Sequence, residues 1–143
     1  MSVELTIAEL LSGSGRELGA TRWVPVPENR IASYAAATGD RAGPAAQPLM
    51  TLSLVPSLLP ELLRITDSSF RLNYGAERVR FHAPVPGGSH VRVRARVADA
   101  RPRGSGVLYA LAVEVELRGS EQPALTAELL SLAYPVDRAG VAA

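Results

Sequence analysis

One run, Leu49 to Leu63, reads Leu-Met-Thr-Leu-Ser-Leu-Val-Pro-Ser-Leu-Leu-Pro-Glu-Leu-Leu and is apolar on nearly every side of a helical projection. A helix with no polar face has to be enclosed by other structure. Downstream of this run the chain is strand-like throughout: Phe70 to Tyr74, Val79 to His82, Val91 to Val97, Val107 to Leu117 and Ala124 to Tyr134 are separated by Gly, Pro, Ser and Asp clusters. Helical segments succeeded by a strand meander, with no strand-helix-strand rhythm, predict an α+β fold. The economical arrangement is one curved, mainly antiparallel sheet wrapped around the apolar helix. Pro56 is expected to kink that helix and Pro60 to end its regular part, because each lacks an amide donor and crowds the preceding turn.

Upstream, Thr6-Ile7-Ala8-Glu9 has capping-box spacing and predicts a short first helix. Arg22-Trp23-Val24-Pro25-Val26 alternates like an edge strand, where a proline sits without breaking a ladder. Pro27 then suits a first helical turn, Ile31, Tyr34, Ala35 and Thr38 recur at the helical period, and Gly39 is a natural stop. Asp40 is thereby delivered just past a helix C-terminus. Residues 1–136 are expected to form one domain, and 137–143, short and Ala/Gly-rich, a frayed tail.

Composition removes several chemistries. All 15 basic residues are Arg, which excludes Schiff-base and P-loop lysines. There is no Cys, so disulfides and thiolate nucleophiles are out, and His82 and His90 are too few for a zinc site without carboxylates. A net charge of +1 argues against a nucleic-acid partner. No run reaches membrane-span length and the N-terminus lacks the layout of a secretory signal, so a cytoplasmic protein without cofactor or metal is expected.

Two blocks, Ala37-Thr38-Gly39-Asp40 and Asn73-Tyr74-Gly75 through Arg80-Phe81-His82-Ala83-Pro84-Val85-Pro86-Gly87, together with Met50-Thr51-Leu52, resemble the MaoC-like (R)-specific enoyl-CoA hydratase/dehydratase family over roughly residues 5–135. The resemblance implies a hot-dog fold, an acyl thioester of CoA or of an acyl carrier protein as partner, and a homodimer or a paired heterodimer. It makes Asp40 the counterpart of the family's catalytic Asp. The family pattern Gly-Asp-x-x-x-x-His is not completed here, because the residues after Asp40 run Arg41-Ala42-Gly43-Pro44-Ala45. The family's Ala-His-Gly approach to the central helix reads Ala46-Gln47-Pro48, and proline has no amide to offer a thioester oxygen.

Gln47, at the mouth of the helix, is a candidate substitute donor that cannot take a proton. Tyr34 and Tyr74 are candidates for placing a hydroxyl in the pocket, and Met50 for lining it. His82 comes after Phe81 on a strand and should face the opposite way. Arg92, Arg94 and Arg96 share one strand face, to be paired with Glu114 and Glu116 or, alternatively, offered to phosphates or an acidic carrier. Two functional readings are compatible with these residues. One is an enzyme on an acyl thioester with Asp40 as base, its chemistry dehydration, hydration, isomerisation or cyclisation. The other is a catalytically silent hot-dog subunit that binds an acyl chain or pairs with an active partner. A thioesterase is a third and weaker reading, since Glu61 falls beyond the second proline of the helix.

Overall fold

The computed structural model describes residues 2–41 and 43–136; the expected tail from Asp137 lies outside the described residues. The chain opens with β1 (Val3–Leu5) and α1 (Ile7–Leu11), then β2 (Glu17–Ala20), β3 (Val24–Val26) and α2 (Glu28–Thr38). The apolar segment forms α3 (Pro48–Ser53) and α4 (Val55–Leu58) with a 3-10 turn at Leu59–Glu61, and β4 (Leu63–Ile65), β5 (Ser68–Phe81), β6 (Ser89–Arg103), β7 (Gly106–Leu117) and β8 (Leu125–Pro135) complete it. The capping box at Thr6 and Glu9 is present.

The main sheet has the order β2-β6-β7-β8-β5, with β3 also paired to β6. All its pairings are antiparallel. Its inner face is set by strand alternation: Val91, Val93, Ala95 and Val97 of β6, then Val107, Tyr109, Leu111, Val113 and Val115 of β7, join Met50, Val55, Leu58 and Leu59 of the central segment in one core. Each buried leucine there contributes about 1.5–3 kcal/mol. This is the expected α+β hot-dog layout, a curved sheet around an apolar helix.

The kink expected at Pro56 takes the form of a break at Leu54, in the turn ahead of it. The proline nitrogen has no proton for the Leu52 carbonyl, so the chain restarts a turn there. Leu63, expected in the helix, belongs to β4, which runs parallel to β1 in a separate two-stranded ladder. The two strands expected around Asn73-Tyr74-Gly75 and Arg80-Phe81 are a single strand, β5, whose extra residues are absorbed at bulges between Asn73 and Gly75 and between Glu77 and Arg80. Arg78 takes a left-handed φ of 51° in the second bulge.

One edge of the sheet is left open. β5 ends the strand order, is exposed along almost its whole length and displays Phe70, Leu72, Tyr74 and Phe81. Among the described residues no helix is long and apolar enough to cross a membrane.

Candidate functional site

The site is built where α2 ends and α3 begins. Thr38 donates its hydroxyl to the Tyr34 carbonyl at 2.7 Å, one turn back. Gly39 then adopts φ 77° and closes the helix with its amide on the Ala35 carbonyl. Only a residue without a Cβ takes that conformation cheaply. The chain thus reverses at Asp40, whose amide donates to the Thr38 hydroxyl at 3.2 Å.

The return loop is tied to the connection between β5 and β6. Ala46 donates its amide to the Val85 carbonyl at 2.7 Å, and Gly87 donates to the Pro44 carbonyl at 2.9 Å. Gln47, only 1% exposed, closes the loop from inside: its side-chain amide donates to the Asp40 carbonyl at 2.9 Å and to the Ile31 carbonyl at 3.3 Å. Its Oε1 is buried without a partner. Pro48 comes next as the first helical residue, a position where its missing amide costs no helix bond.

Asp40 itself is exposed, and its carboxylate makes no hydrogen bond or ion pair among the described residues. Ala45 occupies the place where the resemblance puts a histidine, and it bridges to Pro86 on the sheet side. Beside the loop, Glu28, Ile31, Ala32, Ala35, Pro44 and Gln47 line a shallow groove of about 280 Å³. On the inner side, Pro48, Thr51, Phe81, Val85 and Leu125 border a slot of only about 30 Å³.

The structure brings together only part of the expected set. Gln47 lies beside Asp40, but as a buried clamp on its backbone instead of an open donor at the helix mouth. Met50 is a core residue of α3, and Tyr34 packs half-buried from α2 against that core. Tyr74 is elsewhere: next to the inward-facing Asn73, in the bulge between Asn73 and Gly75, it lies on the outer face of the sheet, where its hydroxyl accepts from Arg103 at 3.2 Å and its ring lies 5.0 Å from that guanidinium. The bulge, invisible in a period-two reading, shifts the facing of the strand by one residue. His82 does face away from the core, bonded to Thr126 at 2.8 Å. Glu61 is committed to Arg22 by an ion pair at 3.1 Å.

The arginine stripe is largely a ladder. Arg92 and Arg94 both grip Glu116, at 2.7 and 2.8 Å, while Glu114 opposes Arg94 in register. Burial pushes the Glu116 carboxyl up, but the two guanidiniums outweigh it and hold it below its ordinary value.

Fold and site together define a hot-dog protein with an exposed carboxylate, Asp40, at the approach to the central helix. Comparisons with known proteins narrow the class. No family model matches the chain. The 3-hydroxyacyl-thioester dehydratase Z of Mycobacterium tuberculosis is 33% identical over 139 residues, covering 86% of this chain and 92% of that protein. Nodulation protein N of Rhizobium leguminosarum bv. viciae is 33% identical over 147 residues, covering 90% and 91%. Among solved structures, the monoamine oxidase regulatory protein of Archaeoglobus superposes with a TM-score of 0.75 at 18% identity, over 93% of this chain and 97% of that one. A MaoC-like dehydratase from Rhodospirillum rubrum gives 0.70 at 13%, over 85% and 92%. The ChsH1-ChsH2 complex of Mycobacterium tuberculosis gives 0.62 at 17%, over 84% and 96%. The chain belongs to the MaoC-like hydratase/dehydratase family, whose hydratase and dehydratase members act on acyl thioesters.

Proposed function

We propose that this chain is a hydratase/dehydratase-type protein for an acyl thioester, carried by CoA or an acyl carrier protein, with Asp40 as the proton acceptor. The observation that carries the reading is the construction of the Asp40 turn. A helix cap, two hydrogen bonds to the β5–β6 connection and a fully buried Gln47 all serve to hold an unpaired carboxylate at the start of the central helix. In the dehydration direction Asp40 takes the Cα proton of a 3-hydroxyacyl thioester while the C3 hydroxyl departs with a proton as water. No second proton-handling side chain bonds to Asp40 among the described residues, so the same carboxyl, or water, returns that proton. This makes turnover slower than with an Asp-His pair, by about a hundredfold or more.

The inner slot of about 30 Å³ holds a single water, not an acyl chain. The chamber for the chain is therefore completed by a second subunit, seated on the open β5 edge. A strand edge of that length and apolarity is a template for pairing, and the ChsH1-ChsH2 neighbour is itself a complex of two chains. Such a pair would work in the cytoplasm, where CoA and carrier thioesters are held.

A second reading, a silent subunit that completes a partner's site, is supported by Ala45 in the histidine place and by Pro48 at the helix start. Asp40→Asn separates the two. It keeps size and hydrogen bonding but cannot accept a proton. In the enzyme, hydration of crotonyl-CoA, or dehydration of a 3-hydroxyacyl thioester, falls by about a hundredfold or more with the melting temperature unchanged. An active wild type matched by an equally active Asp40→Asn variant would end the catalytic role of Asp40.

A further inference from the structure

The inner face of the sheet is apolar except along one row. Strand register sets Tyr109 of β7 opposite Ser131 of β8, and Ser131 opposite Asn73 of β5. Directly opposed residues share a face, so these three polar side chains run from the core outward to the open edge. Arg71 lies one step along β5 on the same face, opposite Ala133.

Two of these groups are unexplained by the fold. Tyr109 is 1% exposed, and its hydroxyl is buried with no hydrogen-bond partner, although the Arg71 guanidinium and the Ser131 hydroxyl stand beside it. Arg71 is half-buried and makes no ion pair among the described residues; the other described arginines without an ion pair are all exposed. Arg71 borders a groove of about 240 Å³ whose other walls include Pro60, Leu63, Ile65 and Phe70. The groove borders Pro60, at the opposite end of the central segment from Pro48 and the Asp40 turn. It is separate from the Asp40 turn.

An arginine without an acid, backed by a buried phenol and flanked by apolar walls, is complementary to an anion on a hydrocarbon chain. We propose that this groove binds a carboxylate borne on an aliphatic chain. Arg71 takes the two carboxylate oxygens, and Pro60, Leu63, Ile65 and Phe70 cover the chain. Tyr109 is a positioning residue, its hydroxyl supporting the guanidinium from beneath. Burial pushes the Tyr109 phenol up from its ordinary value against the opposing pull of Arg71 and Ser131, so the group stays a neutral hydroxyl at pH 7.

The test is calorimetric titration of the full chain with octanoate and with octanol at pH 7, which needs no turnover and so fails independently of the Asp40 reading. Octanoate is expected to bind at least tenfold more tightly than octanol. Arg71→Met should abolish that preference and Arg71→Lys retain part of it, while Tyr109→Phe lowers octanoate affinity severalfold and leaves octanol unchanged. Should Arg71→Met fail to fold, Arg71→Gln takes its place and is expected to weaken octanoate alone. Equal affinity for the two probes, or an undiminished preference in Arg71→Met, overturns the proposal. So does an Arg71→Met variant whose sedimentation shifts while octanoate binding stays at the wild-type value, since the guanidinium would then serve a second copy of the chain.

Discussion

Replacing Gln47 by Glu changes one side-chain nitrogen to oxygen and little else in size, yet it reverses the electrostatics of the Asp40 loop. Gln47 donates both amide protons to carbonyls, that of Asp40 at 2.9 Å and that of Ile31 at 3.3 Å. A carboxylate there would face two acceptors in a site with 1% exposure and no cation bonded to it. Only the protonated acid suits the site, since its one O–H still reaches the nearer carbonyl of Asp40. Burial without a counter-charge raises a carboxyl pKa by about two to three units or more, at about 1.4 kcal/mol per unit. The introduced group therefore has a folded-state pKa above its unfolded value. Stability is retained below the unfolded value near pH 4.3 and lost as pH rises through the raised pKa, where the folded state has bound the extra proton. By pH 8 the variant should be about 4–5 kcal/mol less stable than wild type, the ionisation penalty adding to one lost hydrogen bond, and at pH 4 the gap should shrink to about 1 kcal/mol, the value of that hydrogen bond alone. Urea denaturation of both proteins across pH 4–8 measures this. A gap that does not widen with pH would mean that water or a cation reaches the introduced carboxyl, and the buried clamp assigned to Gln47 would be wrong.

Other outcomes rest on separate parts of the structure. Glu116→Gln removes the acceptor shared by Arg92 and Arg94. Because the Glu116 carboxyl is held below its ordinary value, its stabilisation is present above the unfolded pKa and lost as pH falls through the lower folded one; the variant should lose about 0.5–1 kcal/mol at pH 7 and match wild type in strongly acid melts. Gly106→Ala would drive a methyl into the Ala133 carbonyl and the Tyr134 ring, so chemical denaturation should show a loss of about 1–3 kcal/mol; an unchanged midpoint would refute the packing at that hairpin. Leu72→Glu, at a β5 position 48% exposed, should leave the single-chain fold intact and convert a dimer to monomer in sedimentation, whereas a variant that stays dimeric would place the subunit contact away from β5.

What the sequence determined by itself was everything governed by neighbours along the chain. The apolar run from Leu49 demanded enclosure, the strand runs after it supplied the enclosing sheet, and together they specify the α+β hot-dog layout. Thr6 and Glu9 cap the first helix, Gly39 turns the chain so that Asp40 comes directly after α2, and the alternation of β6 puts its arginines opposite the glutamates of β7. Each of these depends on a spacing of four residues or fewer, or on strand alternation. Tertiary structure decided the rest, because register between distant strands is not written in local periodicity. Tyr74, a candidate for placing a hydroxyl in the pocket, meets Arg103 on the outer face once β5 is registered on β8. The pairing of β1 with β4 joins residues 60 positions apart, which no local pattern announces. Gln47 reads as an ordinary polar loop residue until the end of α2 folds back over it and leaves two carbonyls needing its amide. Tyr109 is one residue in an apolar strand until β8 and β5 set Ser131, Asn73 and Arg71 beside it. Buried polar groups acquire their meaning only from partners brought across the sheet, since the cost of leaving them unpaired is set by surroundings that the chain assembles last.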